Sequence, residues 1–136
     1  MLKRFAPLAL TALIAAVAST PAAAYNCAIP AIIDQTKRTV CANQGLRDLD
    51  QSEKARFASV NATLGTDGRR SLTRARAAFF TDRAACGGTD TRCLTAVYRA
   101  QVRLYARFTK CRTNRAQGTC IEGIFQRHRE ELHRST

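Results

Sequence analysis

Six cysteines, two histidines and ten carboxylates are the side chains through which this 136-residue chain could catalyse a reaction or hold a metal. Cys27, Cys41, Cys86, Cys93, Cys111 and Cys120 are separated by 13, 44, 6, 17 and 8 residues, and no CxxC pair occurs. That spacing does not match a zinc-finger pattern. An even count in a small domain reads instead as a disulfide framework. Loop closure between neighbouring elements suggests Cys27–Cys41, Cys86–Cys93 and Cys111–Cys120, one of fifteen connectivities open to six cysteines. Each would close a short loop and contribute roughly 2–3 kcal/mol by restricting the unfolded chain. Thiols so engaged are lost as nucleophiles.

The histidines do not rescue a catalytic reading. His128 and His133 are five residues apart, about 140° around a helix, and cannot ligate one metal from the same face. His128 falls on the apolar stripe of the last helix, where a packing role is expected; His133 lies near the terminus. The string His128-Arg129-Glu130-Glu131-Leu132-His133 has the wrong spacing for a zinc-protease helix. No glycine-rich phosphate loop, nucleophile elbow or convergent carboxylate pair is present. The expectation is a non-enzyme with no catalytic residue, cofactor or metal.

The elements that position these side chains are helical. Leu72, Ala75, Phe79 and Cys86 share one side of a helix. After the loop Gly87-Gly88-Thr89-Asp90, a second helix starting near Cys93 carries Leu94, Val97, Tyr98, Leu104, Tyr105 and Phe108 on one side. A cysteine at each mouth of that loop would pin the pair as a helical hairpin. Upstream, Tyr25 to Pro30 reads as an extended lead-in. Asp34 is placed to cap a short helix through Cys41, with Ile33, Thr36 and Val40 on its apolar side. Asn43-Gln44-Gly45 reads as a break. The next helix carries Leu46, Leu49, Phe57, Val60 and Leu64, and Gly65 to Gly68 reads as a turn, with Asp67 or Ser71 as cap. Cys111 to Thr119 is a polar, basic loop, and a last helix from about Cys120 to Leu132 groups Ile121, Ile124, Phe125 and Leu132. The pattern predicts an all-α, disulfide-braced bundle of four to five helices built from antiparallel hairpins.

Residues 1–24 have another purpose. Lys3 and Arg4 precede an apolar run from Phe5 to Ala18, and Pro21-Ala22-Ala23-Ala24 offers a small-residue cleavage site. The run is shorter than the ~20 residues of a spanning helix, so a cleaved secretory signal is expected rather than an anchor. Residues 25–136 then form one domain with no transmembrane segment, and its address is periplasmic or secreted. Losing Lys3 and Arg4 lowers the formal charge from +12 to +10.

That charge has a pattern. Arg99, Arg103, Arg107 and Lys110 form a stripe opposite the apolar side of their helix, and Arg69, Arg70 and Arg74 open the preceding helix. A solvated surface explains most charged helix faces, yet this charge exceeds what solubility needs. An anionic partner is expected: lipid headgroups, polysaccharide or an acidic protein. No base-reading motif accompanies it, so sequence-specific nucleic-acid binding is not expected.

Two charges also fall on packing faces. Asp50 lies about 40° from Leu46, and Arg83 about 20° from Leu72. With the intervening turn centred near residues 66–67, an Asp50–Arg83 ion pair is predicted between the helices, with Glu53 as the alternative acceptor.

The ordered set Cys27, Val40-Cys41, Leu46-x-x-Leu49-Asp50, Phe79-x-x-x-Arg83-x-x-Cys86 and Cys93-Leu94-x-x-x-Tyr98 resembles the bacterial LprI-like family. That family is named for a secreted lysozyme inhibitor and consists mostly of small exported proteins of unknown function. The resemblance spans roughly Tyr25 to Tyr105 and implies an inhibitor-type binding protein whose partner is a lysozyme or another envelope protein. The chain departs from the family pattern at Lys37, where a glutamate is usual, and at Phe79, where tryptophan is usual. Phe57 replaces a tyrosine, Arg76 a glutamine, and Tyr98-Arg99-Ala100-Gln101 a Tyr-x-x-Arg. Cys111, Cys120 and the helical extension from about residue 112 are additions. A strongly basic lysozyme would repel a chain of this charge at long range.

Overall fold

Short polar side chains start each of the first two helices. In the computed structural model, which describes residues 25–29 and 34–135, Asp34 accepts from the Lys37 N–H at 2.9 Å and opens α1 (Gln35–Ala42). Asn43 alone separates α1 from α2 (Gln44–Ala62). Its N–H donates back to the Val40 carbonyl while its Oδ1 accepts from the Leu46 N–H at 3.0 Å. One residue closes one helix and starts the next, so Gly45 belongs to the first turn of α2 instead of to a break. The expected signal sequence, Pro30 and Ile33 lie outside the described residues.

Tyr25–Ile29 is not extended. Asn26 accepts from the Ala28 N–H through Oδ1 and from the Ile29 N–H through its carbonyl, making a local turn. The turn into α3 (Thr66–Ala85) is also shorter than its glycines suggest. Gly65 is the cap without a side-chain bond, and Gly68 sits inside the first turn, buried against Gln117. Asp90 caps α4 (Thr91–Phe108) by accepting from the Cys93 N–H at 2.9 Å. The preceding loop reverses through Gly87 and Gly88, whose φ values of 73° and 81° suit a residue without a side chain. A single 3-10 turn (Thr109–Cys111) and a short loop lead to α5 (Gln117–Arg134), which begins earlier than Cys120.

From α2 onward consecutive helices run antiparallel, but the closest packing joins helices that are not consecutive: α2 lies on α4, and α3 on α5. Both pairs are parallel. Asp50 meets Tyr98 and Phe57 meets Tyr105, while Asp67 meets Gly118 and Asp82 meets Arg129. α4 therefore touches every other long helix and serves as the spine.

The core divides in two along α2. One cluster gathers Val60, Leu64, Leu72, Ala75, Leu104, Tyr105, Phe108, Cys111, Ile121 and Ile124; the other gathers Val40, Leu46, Phe79, Cys86, Leu94 and Tyr98. Asp50 and Glu53 lie between them on α2. Burying one large apolar side chain is worth roughly 1.5–3 kcal/mol, about what a disulfide closing a short loop contributes. The bridges therefore supplement this core and do not replace it. All three are formed, with the connectivity loop closure suggests: Cys27–Cys41, Cys86–Cys93 and Cys111–Cys120. Among the described residues there is no strand and no free cysteine, and no helix is long and apolar enough to cross a membrane.

Candidate functional site

Between the two apolar clusters the fold encloses a charged layer. Glu53, 1 % exposed, takes both oxygens to Arg76 of α3, whose Nε and Nη2 each donate at 3.0 Å, and also accepts from the Tyr105 hydroxyl at 2.7 Å. Asp50, 2 % exposed, accepts from the Tyr98 hydroxyl at 2.8 Å, the Tyr25 backbone N–H at 2.9 Å and Lys54 Nζ at 3.4 Å. Arg83 does not reach Asp50. It donates to the Tyr98 hydroxyl at 3.1 Å, so the expected Asp50–Arg83 pair is a relay through a phenol.

The cause of that correction is the turn. It centres on Leu64–Gly65, which sets Glu53 against Arg76 and moves Arg83 past Asp50 toward the far end. The guanidinium groups also cover aromatic faces: Arg76 lies 4.1 Å from the Phe57 ring centre and Arg83 4.9 Å from that of Tyr25. Burial, then the neighbouring carboxylates, push the phenols of Tyr98 and Tyr105 well above their ordinary pKa. Burial pulls Lys54 down, opposed by Asp50. The acceptors of this layer are occupied within the fold, so it reads as structure.

The outer face of α4 is different. Arg99, Arg103 and Lys110 are exposed, with no salt bridge among the described residues. Arg107, in the same stripe, donates to Glu131 of α5 at 3.0 Å. On α3, Arg69 and Arg70 are exposed; Arg69 bonds the Asn61 carbonyl, and Arg74 lies 3.6 Å from Glu122. The buried faces of α3 and α4 meet, Phe79 edge-on to Tyr98 at 5.2 Å. Arg74 of α3 and Arg107 of α4 each reach a glutamate of α5, so two of the seven basic residues are in ion pairs within the fold.

A cleft of about 260 Å³ opens where α3, α4 and α5 meet, with Phe79, Val97, Ala100 and Leu132 as its apolar lining. His128, His133 and the Asp82–Arg129 ion pair edge it. His128 is half-buried, and burial, then Arg107, hold its pKa below the ordinary value. Gln101 lines the cleft at 5 % exposure; it approaches the Tyr105 hydroxyl, yet its Nε2 completes no hydrogen bond among the described residues. Such a cleft can take a small apolar group bearing an acceptor. Among the described residues no three metal-ligating side chains converge. No protein-family model, curated protein or solved structure matches the chain.

Sequence reasoning placed Tyr98 and Tyr105 on a packing face but not their hydroxyls on Asp50 and Glu53, and it missed Arg76 and Gln101. Arg76 lies about 40° from Leu72 on its helix, a placement as informative as that of Arg83. Gln101 lies between Leu94, Val97, Leu104 and Tyr105 in the apolar stripe, and a polar residue there is a signal of its own.

Proposed function

We propose that this protein is an exported, non-enzymatic binding module that engages an anionic partner with the outer face of α4. One observation carries the proposal: Arg99 and Arg103 are exposed on α4 and Lys110 on the turn that follows it, and none of the three is in a salt bridge among the described residues. Unscreened cations along one helix raise the local concentration of anions. Three disulfides fit an oxidising compartment, and the leader-like residues 1–24 fit export. The engagement of every cysteine and of both core carboxylates supports a binding role over catalysis.

The test is retention on heparin and on vesicles containing anionic lipid, measured against salt. The expected result is binding that disappears as ionic strength rises through the physiological range, and that weakens at least about tenfold in an Arg99→Glu/Arg103→Glu variant. Equal retention of the variant would overturn the assignment of this face. Inhibition of a lysozyme that persists at high salt would favour instead the inhibitor function implied by resemblance to the LprI-like family.

A further inference from the structure

Asp50 is a nearly buried carboxylate whose closest donors are not its one ion-pair partner among the described residues, Lys54. Its Oδ1 is met by a neutral phenol and its Oδ2 by Lys54 at 3.4 Å, an amine whose own charge is disfavoured by burial. The nearest donor to Oδ2 is the backbone nitrogen of Tyr25, at 2.9 Å. Tyr25 is the residue that follows Ala22-Ala23-Ala24, the small-residue cleavage site.

We infer that removal of the leader after Ala24 leaves the α-ammonium group of Tyr25 seated on Asp50, and that this ion pair completes the core of the mature chain. The inference rests on the export reading above. In the unprocessed chain this nitrogen is an amide with one proton and no charge; after processing it carries three protons and a full positive charge beside a carboxylate that is 2 % exposed. Charge-assisted hydrogen bonds are roughly twice as strong as neutral ones. The position is well held. Cys27, two residues on, is bonded to Cys41 of α1, and the Tyr25 ring lies beside Arg83 and Lys54. The scissile bond and the folded core therefore share an atom, and the cut that releases the protein also gives Asp50 a second cation, closer than Lys54.

The experiment uses the full chain, expressed with its leader and collected after export. Intact mass should place the new N-terminus at Tyr25; any other start would overturn both the cleavage site and the pair. A second chain carries Gly-Ser inserted between Ala24 and Tyr25, which keeps an amide donor at Tyr25 but moves the ammonium away. Its melting midpoint should fall by at least about 5 °C. In an Asp50→Asn background the same insertion should have almost no effect. A start at Tyr25 combined with an equal midpoint for the inserted chain would sink the ion pair while leaving export intact. Should Asp50→Asn fail to fold, acetylation confined to the α-amine of the native protein gives the same reading: loss of charge without loss of the N–H must lower the midpoint.

Discussion

A carboxylate with 1 % exposure survives inside a protein only if donors meet its oxygens, and both oxygens of Glu53 are met, by Arg76 and Tyr105. Arg76 itself is only 13 % exposed, so solvent screens little of the pair. Removing the cation strands a buried charge, which costs about 3–5 kcal/mol. Arg76→Ala should therefore unfold at markedly lower denaturant than Arg83→Ala, whose departure takes one donor from a phenol that keeps its bond to Asp50. A double-mutant cycle in urea should show coupling between Glu53 and Arg76; additive losses would refute the pair. Helical periodicity could place Asp50, Glu53 and Arg83 on packing faces, and it did, while Arg76, on the same side of its helix, went unread. It could not choose among them, because a shift of two residues in the turn centre changes which charges meet.

At the scale of elements, the contact between α3 and α5 depends on a missing methyl group. Asp67, in the first turn of α3, accepts from the Gly118 N–H of α5 at 3.0 Å. A Cβ on Gly118 would overlap that carboxylate. Gly118→Ala should therefore destabilise the protein by about 1–3 kcal/mol, despite the higher helix propensity of alanine. Chemical denaturation of the two proteins checks this; a stabilised variant would show the contact to be dispensable. The helices, the cap at Asp34 and the three disulfides were legible, because each depends on residues close in sequence. The pairing of α2 with α4 and of α3 with α5 was not. A stripe of apolar residues states that a helix has a partner and says nothing of which one. Gly65 and Gly68 likewise signal a turn by composition, whereas Gly68 serves the approach of Gln117.

For the molecule as a whole, all three tyrosines are buried enough to resist ionisation. Burial is the leading cause at Tyr25, Tyr98 and Tyr105 alike, reinforced by Asp50 or Glu53. Each folded-state pKa lies above the unfolded value of about 10. Their contribution to stability is therefore complete below about pH 10 and is lost as pH rises beyond it, where the unfolded chain ionises first. Tyrosinate absorbance at high pH should appear together with the loss of helical circular dichroism. A separate, earlier rise would show a phenol open to solvent.

The parallel pairing of non-consecutive helices also sets an order in time. A chain emerging N-terminus first, from a ribosome or through a membrane, presents α2 with its buried face complete and its partner α4 not yet available. Upstream, Tyr25 reaches Asp50, but Glu53 and Val60 wait for partners on α3, α4 and α5. The disulfides obey a different clock. Their partners are 14, 7 and 9 residues apart, so each bridge can close soon after its second cysteine appears. Stapling is thus local and early, while docking is distant and late, and the interior is sealed only when α5 arrives to meet α3.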